Sequence, residues 1–468
     1  MVKEYRFKLG PINGLNLAID ESLLKPSETP SSMNVEIDTG IFKTSLGITK
    51  YVATSLNGLD SIMTYYKDKV GYILVGASNK LYRLNGSTFT EIASGFSSSS
   101  FDSVNNNVNS EDVIVITNTS GSDNVKVYNG TTVRDLKRNG AASADASDNK
   151  APHGKFIELH YERLWLADDN NLYISKDFDI DDFTTPTDEN EVNMHGAEIV
   201  AYSNDGSKII GLKVIFDDVV IFKEKSIFKI YGTNPTVYQK VQIFSSNGAI
   251  ADKSIVATSK GAFFINKDGI YVYDGTNVNL ISQKITPIFR RINVDAITKA
   301  VAYYWNDKYI LAIPVDGSTE NNLIIEYDLS TKEFITRTGF SVRSFADLGD
   351  KLLFTSNNYI YQYNTGTTID GAVINANWET GLSDFNMPNA VKEVSLIYFT
   401  GKGTGQVKIS CISEKKTKFK IVDLTSSNKV YRLNINNKGR LIKFKIENVS
   451  GSPIEINGFN AVYELDED

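Results

Sequence analysis

A single cysteine, Cys411, stands in a chain of 468 residues. One thiol cannot build a disulfide framework within the chain, so stability has to come from burial. Its setting, Val407-Lys-Ile-Ser-Cys-Ile412, reads as a strand, which makes Cys411 a buried, inert side chain. Histidine is nearly as scarce, with only His153, His160 and His195. His153 follows a loop proline, and His160 alternates with apolar residues in Phe156-Ile-Glu-Leu-His. None has a second His or Cys at ligand spacing, which argues against a zinc site. No serine lies in a Gly-x-Ser-x-Gly elbow. No apolar run approaches the roughly 18 residues needed to span a bilayer. Met1-Val-Lys-Glu-Tyr-Arg-Phe lacks the apolar core of a secretory signal, so the expectation is folding in a reducing cytoplasm. The net charge of -7 comes without a basic stripe and argues against a dedicated nucleic-acid binder. It leaves room for a mildly acidic surface that DNA slides past.

Other chemical motifs are equally sparse. Asp177-Phe-Asp-Ile-Asp-Asp182 resembles alternating calcium ligands but lacks the glycine and the terminal glutamate of an EF-hand loop, so a solvated acidic loop is expected. Thr400-Gly-Lys-Gly-Thr-Gly405 is glycine-rich, yet it lies between strands with no helix after it; it reads as a hairpin turn, not a phosphate loop. Lys415-Lys-Thr-Lys-Phe-Lys420 reads as a lysine-guarded sheet edge. With 56 acidic residues, chance carboxylate pairs are certain, so none can be singled out for glycosidase work. The sequence therefore points to no catalytic, cofactor-binding or metal-binding residue and to no enzyme.

What is present is a repeat. A short apolar strand, a tight turn, a second strand usually ending in an aromatic, and a polar turn recur seven times. The clearest copies are Leu81-Tyr-Arg-Leu-Asn-Gly-Ser87, Val125-Lys-Val-Tyr-Asn-Gly-Thr131 and Ile270-Tyr-Val-Tyr-Asp-Gly-Thr276. Looser ones are Ile227–Thr233, Leu323–Asp328 and Ile360–Gly366, and the most degraded is Leu172–Asp177. Each follows an apolar strand such as Tyr72–Val75, Val113–Ile116 or Leu164–Ala167. These runs are too short and too rich in β-branched and aromatic residues for helices. The copies are roughly 35 to 60 residues apart, near the span of a four-stranded propeller blade. Blades stacked around an axis bury two apolar faces each and leave no long open edge. Asn-Gly and Asp-Gly pairs supply the positive φ that type I′ hairpins require.

The expected architecture is all-β: a β-propeller of about seven blades followed by a C-terminal antiparallel β-sandwich. Residues 1–40 read as an extended N-terminal arm broken by Pro11, Pro26 and Pro30, with a short helix near Lys25. Residues 41–366 form the β-propeller, and Ile41–Tyr51 is expected to complete its last blade. Low-complexity Lys137–Pro152 and acidic Phe178–His195 interrupt the cadence, and Ile285–Ile292 fits one short helix. Residues 367–468 form the β-sandwich, with longer strands that alternate lysine and apolar side chains. Tyr82, Tyr271 and Tyr361 could stack on sugars, but their alternation at strand spacing favours packing between blades.

The stretch Leu24-Lys-Pro-Ser-Glu-Thr-Pro-Ser-Ser-Met-Asn-Val-Glu-Ile-Asp-Thr-Gly-Ile-Phe-Lys-Thr-Ser-Leu-Gly-Ile48 resembles the opening of phage virion propeller proteins. The ending Ser452-Pro-Ile-Glu-Ile-Asn-Gly-Phe-Asn-Ala-Val-Tyr463 is similar to the same group. That group includes tail hub, or tail nozzle, proteins of short-tailed phages. The resemblance implies a structural virion protein in the phage tail, made in the bacterial host cytoplasm. It implies a homo-oligomeric ring, a hexamer in that family, below the portal and adaptor. Packaged DNA would pass through its channel without sequence-specific binding. The alternative is a receptor- or carbohydrate-binding propeller on a tail fibre or baseplate.

Overall fold

The computed structural model describes residues 4–38, 40–140, 149–186, 195–202, 206–244 and 246–466. Residues 141–148 of Lys137–Pro152 and 187–194 of Phe178–His195 therefore lie outside the described residues.

The described residues form seven four-stranded antiparallel sheets and two larger ones. The first sheet runs Leu59–Lys67, Val70–Ala77, Lys80–Asn85, Thr88–Ser94, and each of the next five repeats this meander. The organisation is that of a β-propeller. The second strand of each sheet is deeply buried, as in Arg163–Asp168 and Gly261–Asn266. Its continuous apolar run is needed because a neighbouring sheet covers each face. Two-residue hairpins with positive φ at both positions, such as Asp68-Lys69, Asn109-Ser110 and Asn306-Asp307, join the first strand to the second. These are type I′ conformations, whose twist matches that of the strands.

Apolar clusters join the sheets in sequence. Tyr65, Leu74, Ile114 and Tyr128 lie between the first and second. Ile221, Trp165 and Leu172 lie between the third and fourth. Ile62, Val75, Leu353 and Ile360 connect the last sheet to the first. The aromatic that ends most copies belongs to these interfaces: Tyr128, Tyr273 and Tyr363 are buried. Tyr231 is the exception, being partly exposed.

The seventh sheet, Ser344–Leu348, Lys351–Ser356 and Tyr359–Tyr363, receives its fourth strand from Ile48–Lys50. Tyr363 pairs with Ile48 and Tyr361 with Lys50. The segment Ile41–Tyr51, expected to complete this sheet as one unit, is split. Ile41–Thr44 turns back on Val35–Asp38 and joins a different sheet, because Phe42 and Thr44 are buried there. Gly47 makes the crossing possible, since a Cβ at that position would run into the Thr368 carbonyl.

The two larger sheets share one apolar core that includes Val394, Ile409, Cys411, Phe444 and Ile456. One combines Val391–Gly403, Lys429–Gly439 and Ile454–Asp466 with N-terminal strands; the other combines Gln406–Ser413, Thr417–Asp423 and Ile442–Asn448 with Asn377–Glu379 and Ser31–Met33. Residues 1–40, expected as an arm, are woven into both. Tyr5–Lys8 pairs with Ile454–Asp466, and Ser31–Met33 pairs with Asn377–Glu379. Leu9, Ile12 and Val35 enter the shared core, which explains why the segment does not stand apart. No helix forms at Lys25; Pro26 and Pro30 bracket a segment too short for one. A 3-10 turn forms earlier, at Glu21–Leu23, with Asp20 accepting from the Ser22 amide at 2.9 Å. The helix expected within Ile285–Ile292 is a single turn, Thr286–Phe289.

Thr400–Gly405 is not a hairpin turn. The strands it joins belong to the two different sheets, so it is a crossover. Gly405 permits this, because a side chain there would meet Ser450 and Ser452. Lys418 and Lys420 stand on the exposed edge strand Thr417–Asp423, opposite Cys411 and Ile409. Burial pushes the Cys411 thiol up to about 12.

Candidate functional site at the centre of the sheets

The first strand of every four-stranded sheet borders a cavity of about 360 Å³. Its lining includes Thr64, Asp102, Lys213, Asp252, Tyr303 and Asp347. A second cavity of about 440 Å³ shares Asp252, Lys253 and Val301 and adds Asp60, Glu320 and Arg343. Ile62, Leu212 and Val301 also border it and pack into the interfaces between sheets.

The polar groups are largely bonded across neighbouring sheets. Asn105 accepts from the Tyr66 amide at 3.0 Å and donates to the Thr64 carbonyl at 2.9 Å, joining the second sheet to the first. Asp347 accepts from Tyr303 at 2.5 Å and from Tyr66 at 3.3 Å, joining the sixth, seventh and first. Lys213 of the fourth sheet pairs with Glu158 of the third. Arg343 pairs with Glu320 at 3.0 Å and donates to the Leu59 carbonyl at 3.1 Å.

Electrostatics follow from this burial. Burial raises the Tyr303 phenol, and its bond to Asp347 raises it further. Burial also raises the Asp252 carboxyl, and Asp102 adds to the effect. For Lys213, burial would favour the neutral amine, but Glu158 and Asp102 outweigh it and hold the ammonium. The arrangement can fix sheets against one another around a small cavity with polar groups in its lining. Replacing Asp347 with leucine should leave the Tyr303 phenol without its partner and cost about 1–3 kcal/mol, read as a lowered urea midpoint. An unchanged midpoint would mean that the bonds carry no stability.

The residues weighed from the sequence are distributed elsewhere. His160 is buried against Tyr161, His153 lies 3.3 Å from the Gly121 carbonyl, and His195 lies beside Thr184. Among the described residues, no His, Cys, Asp and Glu group is arranged to hold a metal. In the acidic run, Asp181 is gripped by both terminal nitrogens of Arg134 at 2.7 and 2.8 Å, and Asp182 accepts from Thr184. Tyr271 and Tyr361 are buried and bonded to Asp268 and Asp370, and Tyr82 packs at the interface of the first and seventh sheets. None of the three forms an open stacking platform. Sequence reasoning missed the cavity groups because a polar residue facing a central cavity alternates just as one facing solvent does. Comparing first-strand positions across the seven copies was the one available signal.

No family model matches the chain, and no curated protein matches it. Solved structures do. One is the extracellular domain of a hybrid two-component system from B. thetaiotaomicron, at 14% identity and a TM-score of 0.44, covering 84% of this chain and 49% of that one. This chain thus spans about half the length of that protein. Another is the Neurospora crassa Pan2 WD40 domain, at 10% identity and a TM-score of 0.40, covering 68% of this chain and 95% of the domain. Among the described residues no helix is long and apolar enough to cross a membrane.

Proposed function

We propose that the chain is a structural virion protein of a bacteriophage, a tail hub or nozzle subunit. In this reading the seven four-stranded sheets close into a seven-bladed propeller and the two larger sheets form a β-sandwich. Copies assemble into a homo-oligomeric ring below the portal and adaptor, around a channel for packaged DNA. The observation that carries the reading is the N-terminal segment. It supplies strands to both larger sheets and then the closing strand of the seventh sheet. One stretch of chain thus fastens both units into one rigid part, which suits a component that carries force. The bonded lining of the central cavity adds support, since its charges fix neighbouring sheets. The sequence resemblance carried by Leu24–Ile48 supplies the virion context.

A receptor- or carbohydrate-binding propeller is the second reading. It is favoured by the exposed aromatics Tyr161, Phe178 and Phe216 near the exposed Glu162 and Asp217. Labelling of phage particles with an antibody against this chain separates the two. Label at the junction of head and tail is expected; label at fibre tips would replace the first reading with the second.

A further inference from the structure

Three bulky aromatic residues hold left-handed backbone conformations on neighbouring sheets: Tyr161 with φ 46°, Phe178 with φ 56° and Phe216 with φ 50°. Such values are uncommon for large side chains and cost strain, which directs attention to function. Phe178 is 77% exposed and Phe216 56%. Tyr161-Glu162 and Phe216-Asp217 are the turns between first and second strands of the third and fourth sheets. Both lie at the same end of the sheets. The connection that carries Phe178 returns to that end, where its amide donates to the Glu162 carbonyl at 3.0 Å. His160 links the two turns, lying against Tyr161 and beside Asp217.

Charge distinguishes this surface from the rest of the chain. At these turns stand Glu162 and Asp217, and beside Phe178 stand Asp177 and Asp179. Residues 391–448 hold thirteen basic against four acidic, although the chain as a whole is negative. The basic surplus includes Lys415, Lys416, Lys418, Lys420 and Lys429 on or beside the edge strand Thr417–Asp423. That edge also exposes Phe419 and Ile421, with Val430 exposed on Lys429–Gly439 of the other large sheet, and its strand is unpaired on one side. One molecule therefore carries two apolar surfaces of opposite charge. Opposite potentials select partners and fix orientation.

We infer that the aromatic, acidic tips of the third and fourth sheets receive the basic edge strand of a second copy of this chain. The contact is heterologous, joining two different surfaces, and such a contact closes into a ring when its rotation permits. The inference rests on the ring reading above and names the surfaces that would build it. A sugar could also stack on the aromatics, but it would leave the basic edge and its apolar residues without a partner.

The test uses full-length chain and mass photometry. One variant carries Glu162→Lys and Asp217→Lys, all at exposed turns; the other carries Lys418→Glu and Lys420→Glu on the exposed strand. Thermal melts establish that both fold. Wild type should assemble, and each variant should need about tenfold or more higher concentration to do so. An equimolar mixture should assemble with the two variants alternating, because every contact between unlike variants joins either two native or two charge-swapped surfaces. Combining all four changes in one chain should restore assembly by re-pairing the charges. Variants that assemble as wild type does would overturn the assigned surfaces and leave the ring reading standing. Wild type that stays monomeric at high concentration would overturn both. Retention on a glycan array that is lost in Phe178→Ser, with assembly unchanged, would assign the tips to sugar and overturn the inference.

Discussion

Replacing Arg337 with methionine should destabilise the protein by about 3–5 kcal/mol, the cost of leaving a buried charge without its partner. Arg337 and Glu326 are each about 2% exposed at their side chains and form an ion pair. Lys308 approaches the other Glu326 oxygen at 3.1 Å, and the Tyr363 hydroxyl donates to Glu326 at 2.6 Å. Arg337 also donates to the Leu46 carbonyl at 3.1 Å and to Asn364 at 3.2 Å. The cluster therefore ties the sixth sheet to the seventh and to the segment that closes it. The melting temperature should fall by about 3–5 °C. The double variant Glu326→Leu with Arg337→Met should recover at least half of the loss, since an apolar replacement removes both charges. A single variant that melts with wild type would show that the cluster is not coupled to folding.

The same cluster sets an acid response. Burial raises the Glu326 carboxyl, but Arg337 and Lys308 outweigh it and leave it below its ordinary value. A depressed carboxyl contributes stability that is present above the ordinary carboxylate range and lost as pH falls through the folded value. Removing Arg337 should therefore move the acid-unfolding midpoint to higher pH.

The second large effect concerns Gly47. A valine at this position should force the closing strand away, because its side chain would collide with the Thr368 backbone. The bonds at risk run from the Gly47 amide to the Gly366 carbonyl at 3.1 Å, from the Thr365 amide to the Gly47 carbonyl at 2.9 Å, and from the Ile48 amide to the Thr368 carbonyl at 3.0 Å. At about 1–3 kcal/mol for overpacking, amide exchange in Ile48–Lys50 and Tyr359–Tyr363 should accelerate roughly tenfold to a hundredfold. Unchanged exchange there would mean that the strand closes nothing.

Much of the architecture was legible because the repeat is local. Val127, Tyr271 and Leu353 alternate within short strands, and Asn-Gly or Asp-Gly marks their turns, so strand pairs can be read within a few residues. The closing strand was half legible. Ile48–Lys50 follows the β pattern, but so does Ile41–Thr44, and only burial of Phe42 in the distant core separates them. The crossover at Thr400–Gly405 was hidden for the same reason: a glycine-rich link between alternating strands has one appearance within a sheet and between sheets. Glu326 and Arg337 gave no warning either. In sequence they sit at alternating positions of ordinary strands, and only the pairing of those strands within the sixth sheet brings them together. The exposed aromatics escaped notice because attention to aromatics followed the strand ends of the repeat. Tyr161, Phe178 and Phe216 lie outside it, in turns where no glycine announces the left-handed backbone.

The central proposal is the assembly of many copies around a channel. Electron-microscopic imaging of the purified full-length chain tests that most directly. Closed rings of identical subunits around a central opening, wide enough for a DNA duplex, are the expected result. Monodisperse single propellers at every concentration would contradict it.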